Sequence, residues 1–179
     1  MANVCSFDLK VIGIYKDVYD FCMCLLGDEN FEDEQMPTRC YDGTYCYDFE
    51  TVPPEKAEAC ITGSCAWSVK SAFIDYSEPD SKNQILAFSK AHSLTMEFYS
   101  EEGGMEFAEH YIVESGEITT QEVVRFQEYY IEDVEENIED FLNNPFVKEC
   151  GITKENYLER FDGEEWLRLG GFGNAEFTI

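Results

Sequence analysis

Residues 94–129 contain three segments interpreted as strands, separated by two short turns, and apolar and polar residues alternate in the first of them. The first segment is Leu-Thr-Met-Glu-Phe-Tyr at 94–99, and Glu-Gly-Gly at 102–104 turns the chain into the second at 108–113. Ser115-Gly116 makes the next turn, before a third segment at 117–129. A period of two is typical of strands, and turns this short connect antiparallel neighbours. The sequence therefore predicts an antiparallel sheet.

The N-terminal half predicts further strands and a helix. Residues 5–15 alternate as a strand, and apolar residues recur at helical spacing over 18–25. The tyrosine-rich residues 40–49 are interpreted as a strand pair, and residues 61–76 as a central strand. We expect the Trp67 side chain to lie in the hydrophobic core between the sheet and the helices, with a surface position as the alternative.

The C-terminal half predicts helices and one last strand. A second helix ends near His92, and a short one ends at Phe161. The clearest helix covers 131–142, and residues 177–179 are interpreted as a terminal strand. The helix at 131–142 has one apolar stripe, made of Ile131, Val134, Ile138, Phe141 and Leu142. Strands and helices in this order indicate an α+β fold.

The chain is strongly acidic. It has 12 Lys and Arg against 38 Asp and Glu, a formal net charge of −26 at pH 7. Proteins that bind nucleic acid or anionic membranes need basic surfaces, so we expect neither activity here. At 44% hydrophobic and 15% aromatic, the chain has enough apolar material to fold. From the net charge we expect a basic partner. No secretion signal is recognisable at the N-terminus, so we expect a cytoplasmic protein.

The negative charge is concentrated in one region. Between residues 91 and 147 there are fifteen acids and a single base, Arg125. None of the acids on the predicted helix at 131–142 has a Lys or Arg four residues away, and unpaired like charges destabilise a helix. This face is either a partner-binding surface or merely solvated. The candidate contacts are Glu132, Asp133, Glu135, Glu136, Glu139 and Asp140, followed by Glu101 and Glu102.

Eight cysteines raise the question of disulfides or zinc. Their spacings are C-x-C at 22–24, C-x5-C at 40–46 and C-x4-C at 60–65, with no C-x-x-C. A structural zinc site commonly uses two closely spaced ligand pairs, and zinc is the alternative here. We expect reduced cysteines that pack as small apolar residues, and no metal site.

The sequence carries no established catalytic motif. It lacks G-x-S-x-G, a phosphate-binding loop with its Lys, and H-E-x-x-H. The best group for acid–base chemistry is Glu101, Glu102, Glu106, Glu109 and His110. With so many acids in the chain such neighbours arise by chance, so we expect His110 to be a strand residue with a hydrogen-bond partner. We expect no catalytic residue and no cofactor.

Residues 60–118 resemble a known family. The similarity lies in Gly63-Ser-Cys-Ala-Trp-Ser-Val-Lys-Ser, in Leu94-Thr-Met-Glu-Phe-Tyr-Ser-Glu-Glu-Gly-Gly-Met-Glu-Phe-Ala-Glu-His-Tyr and in the Gly116-Glu117 turn. These segments are similar to YubB-like proteins with a ferredoxin-like domain, carried by plasmids, phages and conjugative elements. The resemblance implies an α+β fold in which an antiparallel sheet has helices packed on one face. Because the sequence shows no internal repeat and no flexible interdomain linker, we expect a single α+β domain over 1–179. The acidic helical extension at 131–162 and the terminal strand lie outside the matched part.

The resemblance implies a mobile-element setting and supplies no catalytic residues. A small acidic protein in that setting is similar in kind to anti-CRISPR and anti-restriction DNA mimics. We expect it to act in the cytoplasm of a bacterial host, on the basic nucleic-acid channel of a Cas effector or restriction nuclease, whose arginines pair with carboxylates. The alternative is an accessory protein-interaction module of plasmid or phage replication or transfer. A metal- or small-molecule-dependent enzyme that uses His110 is a third hypothesis.

Overall fold

The computed structural model describes residues 3–25, 40–51, 56–73 and 84–179, with only the backbone described at 40–51. It combines antiparallel strands with helices, so the predicted α+β class is confirmed. The contacts group into two compact units, residues 1–123 with 174–179, and residues 124–173. The single domain over 1–179 stays a prediction.

The first unit is built around an antiparallel sheet. Its strand order is β2-β3-β1-β4-β5-β6, and β6 continues along the chain into the second unit. Strand β1 pairs with both β3 and β4 in antiparallel register. The elements are β1 (Val4–Ile14), α1 (Tyr15–Leu25), β2 (Cys40–Thr51), β3 (Lys56–Ala66), α2 (Val69–Phe73), α3 (Ile85–His92), β4 (Thr95–Glu102), β5 (Phe107–Glu114) and β6 (Glu117–Tyr130).

One face of this sheet packs against α1, α2 and α3. On β1 every second residue from Cys5 to Val11 is buried, as strand alternation requires. Phe73 of α2 packs edge-on against Phe98 of β4 and Tyr111 of β5, with ring centroids 5.5 and 5.0 Å apart. The three helices contribute further buried residues to the same hydrophobic core: Val18, Phe21, Cys22 and Leu25 from α1, Val69 and Ala72 from α2, and Ile85 from α3.

Most of the predicted elements of the first unit are confirmed. They include the strand at 5–15, the helices that end at Leu25 and His92, and the three strands from 94 to 129. Residues 40–49 were predicted to be a strand pair, which is wrong, because they lie in the single strand β2. The register of β2 against β3 shifts between Tyr41 and Tyr45, so Asp42-Gly43 interrupts the ladder without reversing the chain.

The predicted central strand at 61–76 is wrong in its second half. Strand β3 ends at Ala66 and helix α2 follows, because Ser68 accepts a hydrogen bond from the Ser71 N–H at its start. Val69, Ala72 and Phe73 then recur at helical spacing and are buried. The core position predicted for Trp67 is also wrong, since its side chain is 55% exposed and its φ is 69°. Strand β3 is therefore followed by an exposed tryptophan in the left-handed region.

The second unit combines short helices with a two-stranded ladder. In antiparallel pairing, β6 runs alongside β7 from Phe126 opposite Gly170 to Tyr130 opposite Trp166. The small core consists of Val134, Phe141, Val147, Ile152, Phe161, Leu167 and Leu169. The elements after β6 are α4 (Ile131–Glu136), α5 (Ile138–Asn143), α6 (Pro145–Glu149), α7 (Tyr157–Phe161) and β7 (Trp166–Gly170).

The last strand lies earlier in the chain than predicted. It is β7, in which Leu167 and Leu169 are buried and alternate with more exposed neighbours. The terminal strand expected at 177–179 is wrong, because these residues form no strand ladder. The backbone N–H groups of Thr178 and Ile179 donate instead to the side chain of Glu97.

Candidate interaction surface

The six acids predicted as first partner contacts lie on α4 and α5, and all six side chains are exposed. Val134 of α4 and Phe141 of α5 point the other way, into the core of the second unit. The Phe141 ring packs edge-on against Tyr129 at a centroid distance of 4.9 Å. Because these apolar residues anchor the helices, the carboxylates face solvent. The acidic surface is defined as Glu132, Asp133, Glu135, Glu136, Glu139 and Asp140.

The single helix predicted at 131–142 is wrong, because the helix is interrupted at Asn137. That residue has φ −131° and ψ 41°, outside the helical region. Its N–H donates to the Asp133 carbonyl at 3.2 Å, and its own carbonyl accepts from Asp140 at 3.1 Å. Asparagine is a weak helix former, and like charges without basic partners weaken a continuous helix. Four acids of the surface therefore belong to α4 and two to α5.

The acidic surface has no basic partner in the described part of the chain. None of its six carboxylates forms a salt bridge there. The second unit as a whole has thirteen acids and five bases. One of those bases, Arg168, lies 3.9 Å from Glu128, which is outside the acidic surface. The negative charge of α4 and α5 is thus left to solvent or to a partner.

Glu101 and Glu102, the second candidate contacts, belong to the first unit, at the end of β4. Glu101 is half-buried, and Glu102 is only 3% exposed. One oxygen of Glu102 accepts from the Gly104 N–H at 3.2 Å. A side chain so enclosed offers almost no area to a partner, so Glu102 is not used in the interaction proposed below.

Glu97 and His110 form a buried polar pair that sequence reasoning missed. Glu97 is 0% exposed, and its Oε1 lies 2.8 Å from Nε2 of His110. The expected role of His110, a strand residue with a hydrogen-bond partner, is confirmed. The His110 ring also stacks on Tyr99 at a centroid distance of 4.3 Å. Residues 97 and 110 lie on the sheet face opposite the helices, since their neighbours Phe98 and Tyr111 are in the helix-packed core.

Residues 178 and 179 complete the hydrogen bonding of Glu97. The N–H groups of Thr178 and Ile179 donate to Oε2 at 2.6 and 3.0 Å, and the Thr178 hydroxyl donates to Oε1 at 3.0 Å. Lys10 of β1 donates to the carbonyl oxygen of Ile179 at 2.6 Å. Burial raises the pKa of Glu97, but the hydrogen bonds from His110, Thr178 and Ile179 outweigh it, so the net pKa is lowered.

Glu109 is a second enclosed carboxylate, on the helix-packed face. It accepts hydrogen bonds from the Val69 N–H at 3.0 Å, the Tyr111 hydroxyl at 3.2 Å and the Ser100 hydroxyl at 3.3 Å. Burial raises the pKa of Glu109, and these hydrogen bonds oppose the shift only in part. Its donors belong to α2, β4 and β5, so it links the start of α2 to the sheet. The acid–base group considered from sequence is thus divided, with His110 and Glu109 on opposite faces.

Cys5, Cys24 and Cys150 are free thiols. Cys5, Cys22, Cys24 and Cys65 are buried, which confirms their expected use as small apolar residues. Burial raises the pKa of Cys24 to about 11. Within the described residues, no three His, Cys, Asp or Glu side chains are grouped so that they could hold a metal ion.

No family model matches the chain, and neither a curated protein nor a solved structure matches it. Among the described residues, no helix is long and apolar enough to span a membrane.

Proposed function

We propose that this chain is a non-enzymatic acidic protein that uses the acidic surface of α4 and α5 to occupy the basic nucleic-acid channel of another protein. The observation that carries the proposal is that all six carboxylates are exposed and without salt bridges in the described part of the chain. Buried carboxylates elsewhere in the chain already have protein donors. The carboxylates of the acidic surface therefore keep their acceptor capacity for a partner.

The charge spacing on α4 supports imitation of a phosphate backbone. Four carboxylates fall within the six residues of α4, a length of about 9 Å at 1.5 Å per residue. One strand of DNA carries one charge per about 3.4 Å, and both strands together one per about 1.7 Å. Arginines that hold a nucleic-acid backbone also pair bidentately with carboxylates. The acidic surface thus offers such a channel a charge density between these two values.

The target class we propose is a host-defence nuclease, and the chain an anti-CRISPR or anti-restriction inhibitor from a mobile element. The support is the resemblance of residues 60–118 to YubB-like proteins together with the net charge of −26. We also propose that β1 to β4 form a ferredoxin-like core. In its support, their order in the sheet is β2-β3-β1-β4, with α1 between β1 and β2, and α2 and α3 between β3 and β4.

The test is a nuclease-inhibition panel, run on Cas effectors and restriction enzymes with and without added competitor DNA. The informative variant reverses Glu132, Asp133, Glu136 and Glu139 to Lys. Its matched control reverses four other exposed acids, Glu114, Glu117, Glu155 and Glu159, so both variants change the net charge equally. We expect the first variant to lose inhibition and the control to keep it.

The response of inhibition to salt and DNA, and the identity of the captured protein, separate the proposal from the accessory interaction module. Inhibition should weaken steeply as salt is raised and should be relieved by excess DNA, because both ligands use the same basic groups. Inhibition that survives the four reversals on α4 and α5 contradicts the proposal. Capture of a replication or transfer protein that still binds DNA while held by this chain favours the accessory interaction module.

A further inference from the structure

An exposed aromatic pair lies at the end of the β6–β7 ladder, immediately before the acidic surface. Tyr130 and Trp166 are directly opposite each other in the antiparallel register. Their side chains are 62% and 47% exposed. The neighbouring Tyr129 and Leu167 belong to the core of the second unit, so strand alternation places Tyr130 and Trp166 on the other face of the ladder. Two large rings in register form one patch, unlike scattered exposed apolar residues.

Carboxylates flank this aromatic pair on both strands. Glu132 and Asp133 follow Tyr130, and Glu164 and Glu165 precede Trp166; all four are exposed. The two flanks are held together, because the Ile131 N–H donates to the Glu165 carbonyl at 2.9 Å. An aromatic face bordered by carboxylates fits a cation that has apolar faces and several donors.

The same face of the ladder already holds one such cation, supplied by the chain itself. Arg168 lies with its Cζ 4.3 Å from the centroid of the Phe126 ring, and its Nη1 is 3.9 Å from Oε1 of Glu128. Glu128 and Arg168 are cross-strand partners, two residues along each strand from Tyr130 and Trp166. A guanidinium stacked on an aromatic ring beside a carboxylate is thus an arrangement that this face supports. In the described part of the chain, no Lys or Arg makes a cation–π contact with Tyr130 or Trp166.

We infer that Tyr130 and Trp166 receive an arginine side chain of the partner, which stacks on the rings and pairs with a flanking carboxylate. The inference rests on the proposed function and specifies the chemistry of its partner. Arginine is favoured over lysine because its planar guanidinium stacks on rings, donates bidentately to carboxylates and is more weakly hydrated than an ammonium group. The acidic surface attracts any cation, whereas the aromatic pair selects arginine.

The test compares binding of oligoarginine and oligolysine peptides of equal length to the full chain at low ionic strength, by titration calorimetry. We expect the unmodified chain to bind oligoarginine more tightly. The double variant Tyr130→Ser/Trp166→Ser should lose about three- to tenfold in oligoarginine affinity, the size of one or two cation–π contacts, and clearly less in oligolysine affinity, so the ratio of the two affinities should fall. The double variant Tyr130→Phe/Trp166→Phe, which keeps both rings, should retain the preference.

Leu158→Ser is the control for loss of exposed apolar area, because Leu158 is also exposed in the second unit. An unchanged ratio of the two peptide affinities in the serine variant overturns the inference, and so does equal binding of both peptides by the unmodified chain. In both cases the proposed function stands as long as the peptides bind through the acidic surface. Binding of neither peptide overturns both proposals. Far-ultraviolet circular dichroism checks that each variant is folded.

Discussion

Carboxylates play opposite parts in the two units of this protein. In the first unit, Glu97 and Glu109 are buried and each accepts hydrogen bonds from several protein donors. In the second unit, the six carboxylates of the acidic surface are exposed and have no salt bridge in the described residues. A buried carboxylate without partners would be strongly destabilising, so Glu97 and Glu109 require their donors. An exposed carboxylate needs only water, and it stays available to a partner.

The difference shows that high acidity has two separate consequences here. The enclosed carboxylates help to define the structure, since Glu97 ties residues 178 and 179 to the sheet and Glu109 ties α2 to it. The exposed carboxylates add repulsion to α4 and α5, where the helix is interrupted at Asn137. We therefore expect substitutions of acids in the two units to change different properties.

The largest effect is expected from Phe141→Ala, which removes the apolar support of the acidic surface. Phe141 is buried in a core of few residues and packs on Tyr129. Emptying such a site costs about 4 kcal/mol, a large share of the stability of a small core. We expect hydrogen exchange to increase throughout residues 124–173 and to stay slow in β1, β4 and β5.

Leu158→Ala is the control for Phe141→Ala, because that leucine is exposed in the same unit. It should leave the exchange of residues 124–173 unchanged. If Phe141→Ala accelerated hydrogen exchange equally in both units, the two units would unfold together. That result would contradict the expectation that substitutions in one unit leave the other unchanged.

The next largest effect is expected from Glu97→Gln. The amide removes the charge that all four hydrogen bonds favour, and its NH2 group replaces the oxygen that faces His110 Nε2 and the Thr178 hydroxyl or the one that faces the N–H groups of Thr178 and Ile179. Breaking a buried charged network of this kind costs about 3 kcal/mol. Urea unfolding of the full chain measures this loss, and hydrogen exchange should show that residues 178 and 179 detach from the sheet.

Glu109→Gln is the matched control, because it makes the same chemical change in another buried carboxylate of the first unit. The glutamine oxygen still accepts from the Val69 N–H and the Ser100 hydroxyl, and its amide group can donate to the hydroxyl oxygen of Tyr111. We expect a loss of about 1 kcal/mol or less. Equal losses in Glu97→Gln and Glu109→Gln would mean that the tail residues contribute nothing to the role of Glu97.

The sequence predicts the strands and helices of the first unit better than the contacts of its carboxylates. Alternation over 94–99 and the two short turns that follow are enough to place β4, β5 and β6, and in β4 and β5 one face lies in the core. It also places a glutamate and a histidine within β4 and β5, but not the tail residues that cover them. The pairing of Glu97 with residue 178 joins positions far apart in the chain, and no local pattern encodes it.

In the second unit, the apolar stripe of 131–142 is sufficient to identify which side of the helices is buried and which acids are exposed. It does not predict the interruption at Asn137, since an apolar stripe is compatible with either a straight or a broken helix. The alternation in Trp-Leu-Arg-Leu-Gly at 166–170 does carry the signal for β7. With β7 identified, the pairing of Tyr130 and Trp166 follows from register alone.

A change of pH is expected to alter the stability contributions of Glu97 and Glu109 in opposite directions. The folded pKa of Glu97 is lowered, so its stabilisation is present above its unfolded pKa of about 4.3 and is lost as pH falls through the folded pKa. The folded pKa of Glu109 is raised, so its ionisation lowers stability as pH rises above about 4.3. The effect is about 1.4 kcal/mol per unit of pKa shift.

Unfolding free energies measured at pH 3 and pH 7 test this difference. The destabilisation caused by Glu97→Gln should be smaller at pH 3 than at pH 7. Glu109→Gln should become more stable relative to the unmodified chain as pH rises between these values. A pH-independent difference for both variants would contradict the assigned directions.

The smallest effect is expected from Glu136→Lys, which removes one negative charge of the acidic surface and stabilises helix α4. The new lysine lies four residues after Glu132, in the favourable order for a helical ion pair, and at the C-terminal end of α4, where a positive charge is favoured. We expect a gain of about 0.5 kcal/mol in the stability of the second unit and weaker binding to the basic partner. Glu136→Gln separates the two contributions, since it removes the charge without adding a pair. If Glu136→Lys stabilises the second unit and leaves binding to the basic partner unchanged, the interaction lies outside α4. If the variant is more stable but binds the partner more weakly, unpaired negative charge is the property that the partner uses.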